Sequence, residues 1–142
     1  MLITRRAEFS ASHVCGQPSL TAEQNRELYG AASNKNGHGH NYVLEVTLEG
    51  EPDPVTGMIF DLKTLKEVIQ KNVVEPMDHR FLNYEVFPFD KIVPTAENLA
   101  AEIWKRLEPH LKGERARLRN VRLFETEDLY VDYGGGGHGA DQ

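Results

Sequence analysis

Two segments of this sequence alternate strictly between mainly apolar and mainly polar positions, and this pattern restricts the fold more than any other feature. One parity of the first segment holds Ile3, Arg5, Ala7, Phe9, Ala11 and His13. The corresponding parity of the second holds His38, His40, Tyr42, Leu44, Val46 and Leu48. Side chains two residues apart point to the same face of a strand. Each segment therefore predicts a strand with one mainly apolar face, and each strand carries histidine near one end.

Two later segments have the spacing of amphipathic helices. The first begins near Asp61, a good N-cap residue, and Pro76 closes it. Its apolar positions are Leu62, Leu65, Val68, Ile69 and Val73. The second begins at Thr95, directly after Pro94. Its apolar stripe is formed by Leu99, Ile103, Leu107 and Leu111. This spacing predicts two helices that each bury one face.

Shorter signals complete the predicted order of elements. The polar stretch 21–28 predicts a short helix or ordered loop, and 52–57 is a strong turn signal. Residues 58–60 are expected to return as the partner strand of a hairpin, and two strands are expected at 118–126 and 129–133. The order of the main elements predicts an α+β fold, in which two helices cover one face of an antiparallel four-stranded sheet. Such a sheet has open edges, which pairing between subunits into a shared β-barrel would remove.

Composition excludes several classes of function. With 16 basic and 22 acidic residues, the net charge of -6 argues against binding to a nucleic-acid backbone, although a small anionic substrate remains compatible. The single cysteine, Cys15, excludes an intrachain disulfide. No apolar run approaches the roughly 20 residues that span a bilayer, and the N-terminus lacks a signal-peptide pattern. We therefore expect a cytoplasmic protein without membrane contact. Residues 1–133 are expected to form one domain, and 134–142 a glycine-rich flexible tail.

The histidines of the two strands suggest a metal site. His38 and His40 lie two residues apart and project to the same side. If the two strands pair, His13 can join them. Three imidazole nitrogens with one free position describe a catalytic zinc site rather than a closed structural one. The spacing alone also allows these histidines to be ordinary polar residues at strand ends.

Several motifs resemble those of the 6-pyruvoyl-tetrahydropterin synthase family, which includes the 6-carboxy-tetrahydropterin synthases of queuosine biosynthesis. The two segments similar to the zinc motifs of the family are Phe9-Ser10-Ala11-Ser12-His13 and Asn36-Gly37-His38-Gly39-His40-Asn41-Tyr42. The resemblance continues, in the right order, through residues 53–58, 77–80, 95–98 and 124–126. It covers nearly the whole chain, from Arg5 to Tyr133.

The resemblance implies a fold, a cofactor and a substrate. The fold would be the tunnelling fold (T-fold), in which subunits assemble through trimers into a homo-hexamer, with active sites between subunits. The cofactor would be zinc on His13, His38 and His40. The substrate would be a reduced pterin such as 7,8-dihydroneopterin triphosphate, which would lose its triphosphate or be cleaved at its side chain. The implied activity is that of a lyase.

Three residues are implied to contact the pterin. Glu125 would accept hydrogen bonds from the ring N–H and amino groups, as a two-pronged anchor. Without the resemblance, a salt bridge to Arg119 or Arg122 would be the simpler interpretation of this carboxylate. Thr95 and Glu97 would border the pterin pocket. Their alternative roles are those of an N-cap and of a residue favoured by the helix dipole.

The proton-transfer residues match the family only in part. Asp78 and His79 match two members of a catalytic triad, in which the carboxylate holds the histidine for acid–base work. The third member is a cysteine, and Ala32 stands at its position. Cys15 could supply the missing thiol from another position in the chain, or it could be only a small buried residue. Ser33 is a second residue that could replace the missing cysteine.

Ala32 leaves two functions open, a zinc-dependent lyase and a non-catalytic homologue that binds zinc and pterin. A triphosphate could be held by Lys35, Arg5 or Arg6.

Overall fold

The computed structural model describes residues 1–136. Within them the strands are β1 (Leu2–His13), β2 (His38–Gly50), β3 (Arg80–Phe81), β4 (Ala116–Thr126) and β5 (Leu129–Tyr133). The helices are α1 (Ala22–Tyr29), α2 (Leu62–Ile69), α3 (Glu75–Met77), α4 (Leu82–Glu85) and α5 (Ala96–Leu107). A π-helical turn, Gln70–Val74, joins α2 to α3, and the 3₁₀ turns are Gly30–Ser33 and Glu108–His110.

The strands form one mixed sheet in the order β3-β1-β2-β4-β5. β1 and β2 pair antiparallel over their whole length, from Leu2 opposite Glu49 to His13 opposite His38. The prediction of a four-stranded, purely antiparallel sheet was wrong in one respect, because β3 adds a short parallel strand to the outer edge of β1. Backbone contacts hold it there, since the N–H of His79 donates to the carbonyl of Ser10.

The two principal predicted helices are confirmed as α2 and α5, and both begin at the predicted caps. The side chain of Asp61 accepts a hydrogen bond from the N–H of Lys63, and that of Thr95 accepts one from Asn98. Their apolar stripes pack on the β2 face that carries the alternating apolar residues. The core includes Leu44, Val46, Leu48, Leu65, Ile69, Leu99, Ile103 and Leu107. Each such side chain contributes about 1.5–3 kcal/mol through removal of its surface from water.

The predicted strand at residues 58–60 was wrong. The carboxylate of Asp53 accepts hydrogen bonds from the N–H groups of Val55 and Thr56, and the N–H of Asp53 donates to the carbonyl of Met58. These contacts close the turn on itself. Since α2 begins immediately afterwards at Asp61, no extended segment remains that could pair with β2.

After β5, the chain runs alongside α5. Gly135 has φ of +100°, and a Cβ atom at this position would come within 2.8 Å of the Trp104 ring. Residues 134–136 of the predicted tail are thus described, whereas 137–142, including His138, lie outside the described residues, so the tail stays a prediction. Among residues 1–136, no helix has the length and apolar character needed to cross a membrane.

Candidate metal centre

Strand register brings the three predicted histidines together. His13 lies directly opposite His38, and Ala11 lies opposite His40, so one end of the β1–β2 pair carries all three imidazoles. The Nε2 atoms of His13 and His38 are 3.1 Å apart. One ligand atom from each of the three residues falls within 4.8 Å of the others. The predicted convergence is therefore confirmed, and the group could hold a metal ion.

The ring nitrogens have the hydrogen bonding that a metal site requires. The Nδ1 atom of His13 lies 2.7 Å from the carbonyl oxygen of Pro94, so Nδ1 carries the proton and the lone pair of Nε2 is free. The Nε2 atom of His40 is buried and has no hydrogen-bond partner among the described residues. An unpaired buried nitrogen is costly unless it finds an electron-pair acceptor. The histidines thus fit a zinc ion through three nitrogen ligands.

Burial also keeps these ligands in the protonation state that metals bind. It lowers the pKa of His13, a contact with the Pro94 carbonyl raises it, and His38 lowers it further. Burial likewise lowers the pKa of His40, against an opposing effect of Glu125. Since both values fall below the ordinary 6.5, the two imidazoles are neutral at pH 7. Neutral imidazole is the form that coordinates zinc.

Glu125 faces this cluster from β4. The pairing of β4 with β5 shifts register between Phe124 and Thr126, so Glu125 sits at an irregularity that re-aims its side chain. Its Oε2 atom lies 3.9 Å from the Nε2 atoms of both His13 and His40.

The arginines considered as alternative partners of Glu125 are bound elsewhere. Arg122 makes two hydrogen bonds to Asp132, at 2.8 and 2.9 Å, and Arg119 lies 3.3 Å from Glu49. Among residues 1–136, the basic side chains within 4 Å of the Glu125 carboxylate are the two histidines.

A family model described as 6-pyruvoyl tetrahydropterin synthase matches residues 2–136. The chain belongs to the 6-pyruvoyl tetrahydropterin synthase family. It is 41% identical to the human 6-pyruvoyl tetrahydrobiopterin synthase over 94% of this chain and 90% of the relative. It is 29% identical to a 6-carboxy-5,6,7,8-tetrahydropterin synthase of Rickettsia bellii, over 91% of this chain and 96% of the relative.

A solved structure of a family member has the same fold as this chain. The 6-pyruvoyl tetrahydropterin synthase of Caenorhabditis elegans superposes with a TM-score of 0.90 at 36% identity and covers 96% of both chains. The α+β architecture of this chain is therefore that of the 6-pyruvoyl tetrahydropterin synthase family.

Asp78 and His79 form a pair at the outer edge of the sheet. The Nδ1 atom of His79 lies 2.9 Å from Oδ2 of Asp78, and Oδ1 of Asp78 accepts a hydrogen bond from the N–H of Ser10. The Ser10 contact is the main reason that the pKa of Asp78 lies below its ordinary value. His79 has φ of 62° and its side chain is 83% exposed. His79 and His40 line the same open cleft of about 440 Å³.

Cys15 and Ala32 are neighbours in space. The N–H of Cys15 donates to the carbonyl of Ala32 over 2.9 Å. The thiol is buried, and burial, with smaller contributions from Glu125 and Glu97, raises its pKa to about 11. It is therefore protonated at neutral pH. The hydroxyl of Ser33 donates to the carbonyl of Gly30 within its own turn.

Thr95 and Glu97 occupy the first turn of α5. Thr95 is the N-cap, with its hydroxyl 3.2 Å from the N–H of Asn98, and Glu97 is exposed beside it. Thr95 thus performs the capping role considered for it. The start of α5 lies beside the cluster, because the Pro94 carbonyl that precedes Thr95 contacts His13. Glu97 also contributes to the raised pKa of the Cys15 thiol.

Sequence reasoning missed two groups at this site. The carbonyl of Pro94 left no signal, because a backbone acceptor is present at every position. Tyr42 was recognised only as a member of the β2 stripe. Its ring packs between Phe9 and the histidines, with centroids 5.1 Å from Phe9 and 5.5 Å from His40. Its hydroxyl is buried and has no partner among residues 1–136, and burial raises its pKa.

Proposed function

We propose that this chain is a zinc-dependent lyase that acts on 7,8-dihydroneopterin triphosphate and belongs to the 6-pyruvoyl rather than the 6-carboxy type. The observation that carries this proposal is the three-histidine cluster with Glu125 directed at it. Identity to relatives named 6-pyruvoyl tetrahydrobiopterin synthase reaches 42%, against 29% for a 6-carboxy-tetrahydropterin synthase. This difference supports the 6-pyruvoyl type.

In this proposal, the histidine cluster and Glu125 bind different parts of the substrate. His13, His38 and His40 would hold a zinc ion, which would supply a Lewis acid for an oxygen of the pterin side chain. Glu125 accepts hydrogen bonds from the ring N–H and amino groups, and so orients the ring. Thr95 and Glu97, at the start of α5, border the ring pocket in this proposal. The anchored ring then presents its side chain at one fixed distance from the histidines.

Proton transfer is assigned to His79, positioned by Asp78. The Asp78 carboxylate accepts a hydrogen bond from Nδ1–H of His79, so the Nε2 atom of His79 is free to accept or donate a proton at the substrate. An exposed catalytic group must be enclosed before it works efficiently. A second copy of the chain would provide that enclosure, which supports active sites between subunits and a homo-hexamer built through shared sheet edges.

The triphosphate has a candidate location near Ala32. Ala31 and Ser33 line a cleft of about 870 Å³ that also includes Arg26 and Lys35. Among residues 1–136, two cationic side chains and no carboxylate line this cleft, which favours an anion there. Arg5 and Arg6 instead line a separate cavity of about 170 Å³ with Lys66, and Arg6 faces Glu45 at 3.8 Å. Lys35 is therefore the favoured phosphate ligand of the three considered.

Ala32 specifically favours a second function, that of a non-catalytic protein that binds zinc and pterin. An alanine methyl transfers no proton, and the Cys15 thiol beside it is buried, with its pKa raised to about 11. For catalysis without the usual cysteine, His79 or the protonated thiol of Cys15 would have to supply the missing proton transfer.

Product formation from 7,8-dihydroneopterin triphosphate separates the two functions. The zinc-loaded wild type is compared with Cys15→Ala, His79→Ala and Ala32→Cys. The lyase predicts turnover in the wild type, a loss in His79→Ala and a gain in Ala32→Cys. Loss in Cys15→Ala assigns the relocated thiol. An inactive wild type that becomes active in Ala32→Cys would establish the binding protein instead.

A further inference from the structure

The backbone of His79 has an unusual conformation. Among residues 1–136, His79 is the only residue other than glycine with a positive φ, at 62°. Histidine adopts this left-handed region more readily than most residues do, but the conformation still costs energy. It persists where neighbouring contacts hold the backbone from more than one side, and such positions are frequent at functional sites. The contacts that hold His79 in this form therefore bear on what its ring can do.

The chain is firmly held up to His79. The N–H of Asp78 donates to the carbonyl of Val74 over 2.8 Å, and Oδ1 of Asp78 accepts a hydrogen bond from the N–H of Ser10, also over 2.8 Å. The N–H of His79 donates to the carbonyl of Ser10 over 2.6 Å. Since these contacts fix the chain on one side of His79, its φ and ψ angles depend on where the following residues are held.

The chain after His79 is held by fewer contacts. β3 is only two residues long and lies at the outer edge of the sheet, where it pairs with the end of β1. Glu85, in the following helix α4, reaches back to this strand, and its Oε2 atom accepts a hydrogen bond from the N–H of Phe81 over 2.7 Å. Its Oε1 atom lies 3.5 Å from Nη1 of Arg80, a long contact between two exposed side chains. The Phe81 hydrogen bond is therefore the stronger of the two contacts.

Helix α4 provides a fixed position for the Glu85 side chain. Leu82 is fully buried, and the side-chain amide of Asn83 makes two hydrogen bonds to Val14, at 2.9 Å to its carbonyl and 2.8 Å from its N–H. These bonds join α4 to the residue directly after His13. Substitution of Asn83 would leave backbone groups of Val14 unpaired beside the metal cluster. The hydrogen bonds of Glu85 are instead with β3, so its substitution tests β3 by itself.

We propose that Glu85 is a positioning residue for His79. The Glu85 carboxylate holds the Phe81 N–H and thereby keeps β3 in place. β3 in turn keeps His79 in the left-handed conformation, in which Nδ1 lies 2.9 Å from Asp78. The ring then carries its proton on Nδ1 and presents Nε2 to the cleft that it shares with His40. This inference rests on the proposed function, in which His79 transfers a proton.

Nitrogen NMR of the His79 ring tests the proposal, because ¹⁵N chemical shifts report which ring nitrogen carries the proton. Glu85→Gln keeps an oxygen that can accept the Phe81 N–H, whereas Glu85→Met has a similar length and no such oxygen. The His79 signals are assigned by their loss in His79→Ala. At one mildly alkaline pH, we expect the Nδ1–H tautomer in the wild type and in Glu85→Gln, and a shift towards the Nε2–H tautomer in Glu85→Met. A wild-type tautomer in Glu85→Met, or an equal change in both variants, would overturn the proposal.

Kinetics distinguish positioning from a merely structural role. Glu85→Met should lower kcat about tenfold, the order expected for loss of one hydrogen bond to a charged group, and should leave KM unchanged. Glu85→Gln should stay within about twofold of the wild type, because the exposed ion pair with Arg80 contributes little. Glu67→Met makes the same change at an exposed position of α2 and is the matched control, expected to behave as the wild type.

Thermodynamic stability gives the third readout. The Glu85 side chain is 42% exposed, so its hydrogen bond adds little to the free energy of unfolding, and the urea midpoints of all these proteins should agree closely. A lower midpoint that accompanies the loss of kcat in Glu85→Met would assign Glu85 a structural role and contradict positioning. A raised KM with unchanged kcat would contradict it as well.

These results are separable from failure of the proposed function. If the wild type forms no product from 7,8-dihydroneopterin triphosphate, the ring tautomers still decide whether Glu85 positions His79. If His79→Ala retains full activity, the assignment of proton transfer to His79 fails. The tautomers of the wild type, Glu85→Gln and Glu85→Met still decide the role of Glu85 in that case.

Discussion

The chain contains two sites of histidine chemistry that differ in almost every physical respect. The side chain of His13 is 1% exposed and its ring is fixed by the Pro94 carbonyl, whereas that of His79 is 83% exposed and is held by one side-chain carboxylate. The buried cluster has nitrogens that still need a partner, and the exposed pair has its internal hydrogen bond complete. A single chain therefore brings together the three histidines that could hold a metal, while the proposed proton-transfer group still faces outwards.

The strongest test of this comparison is removal of a buried ligand. His40→Ala should reduce bound zinc to near zero in the purified protein and bring turnover below detection, because two nitrogens hold zinc weakly. Metal analysis and product formation measure the two effects. Thr47→Ala is the control, since Thr47 lies on the same strand and is joined to Thr4 at an exposed position. Full zinc occupancy in His40→Ala would remove the metal assignment.

Removal of the exposed histidine should separate catalysis from binding. His79→Ala is expected to lower kcat about 100-fold, the lower end of the range for acid–base catalysis, and to leave zinc content unchanged. His110→Ala removes a histidine from the 3₁₀ turn after α5 and should behave as the wild type. An unchanged kcat in His79→Ala would show that proton transfer belongs to another group, and loss of zinc would show that the two sites are one.

The smallest expected effect concerns stability in acid. The pKa of Asp78 is lowered in the folded protein, chiefly by the Ser10 N–H, so its stabilising contribution is present above the unfolded value of about 3.9. This contribution is lost as pH falls through the lowered folded value. Urea midpoints measured from pH 6 to pH 2 should therefore fall less steeply for Asp78→Asn than for the wild type, with Asp90→Asn as the control. Parallel curves for all three proteins would contradict this role.

The sequence pattern predicted those parts of the fold that depend on side-chain burial. Alternation in β1 and β2 predicted which residues share a face, and it allowed His13 to join His38 and His40 on the condition that the two strands pair. The helical stripes of α2 and α5 were predicted for the same reason, because an apolar face must be covered. The histidine cluster could be predicted from the sequence because it continues these two alternating stripes.

Features that depend on backbone hydrogen bonds could not be predicted in this way. β3 is two residues long and is held by contacts with Ser10, so it leaves no periodic pattern. The expected strand at 58–60 was lost to hydrogen bonds that Asp53 makes within its own turn. The alternation of residues along β4 predicted on which face of the sheet the Glu125 side chain lies. The irregularity that turns it towards His13 and His40 depends on how β4 and β5 pair.

The contact between His13 and the Pro94 carbonyl has a consequence for how this protein can change over evolution. Every residue type supplies a main-chain carbonyl, so a substitution at position 94 alters the ring's acceptor only if the backbone itself moves. Side-chain substitutions in the loop before α5 therefore leave the orientation of the His13 ring unchanged. Insertions or deletions in that loop would displace the carbonyl. The length of the loop, more than its composition, is what selection on the metal site would preserve.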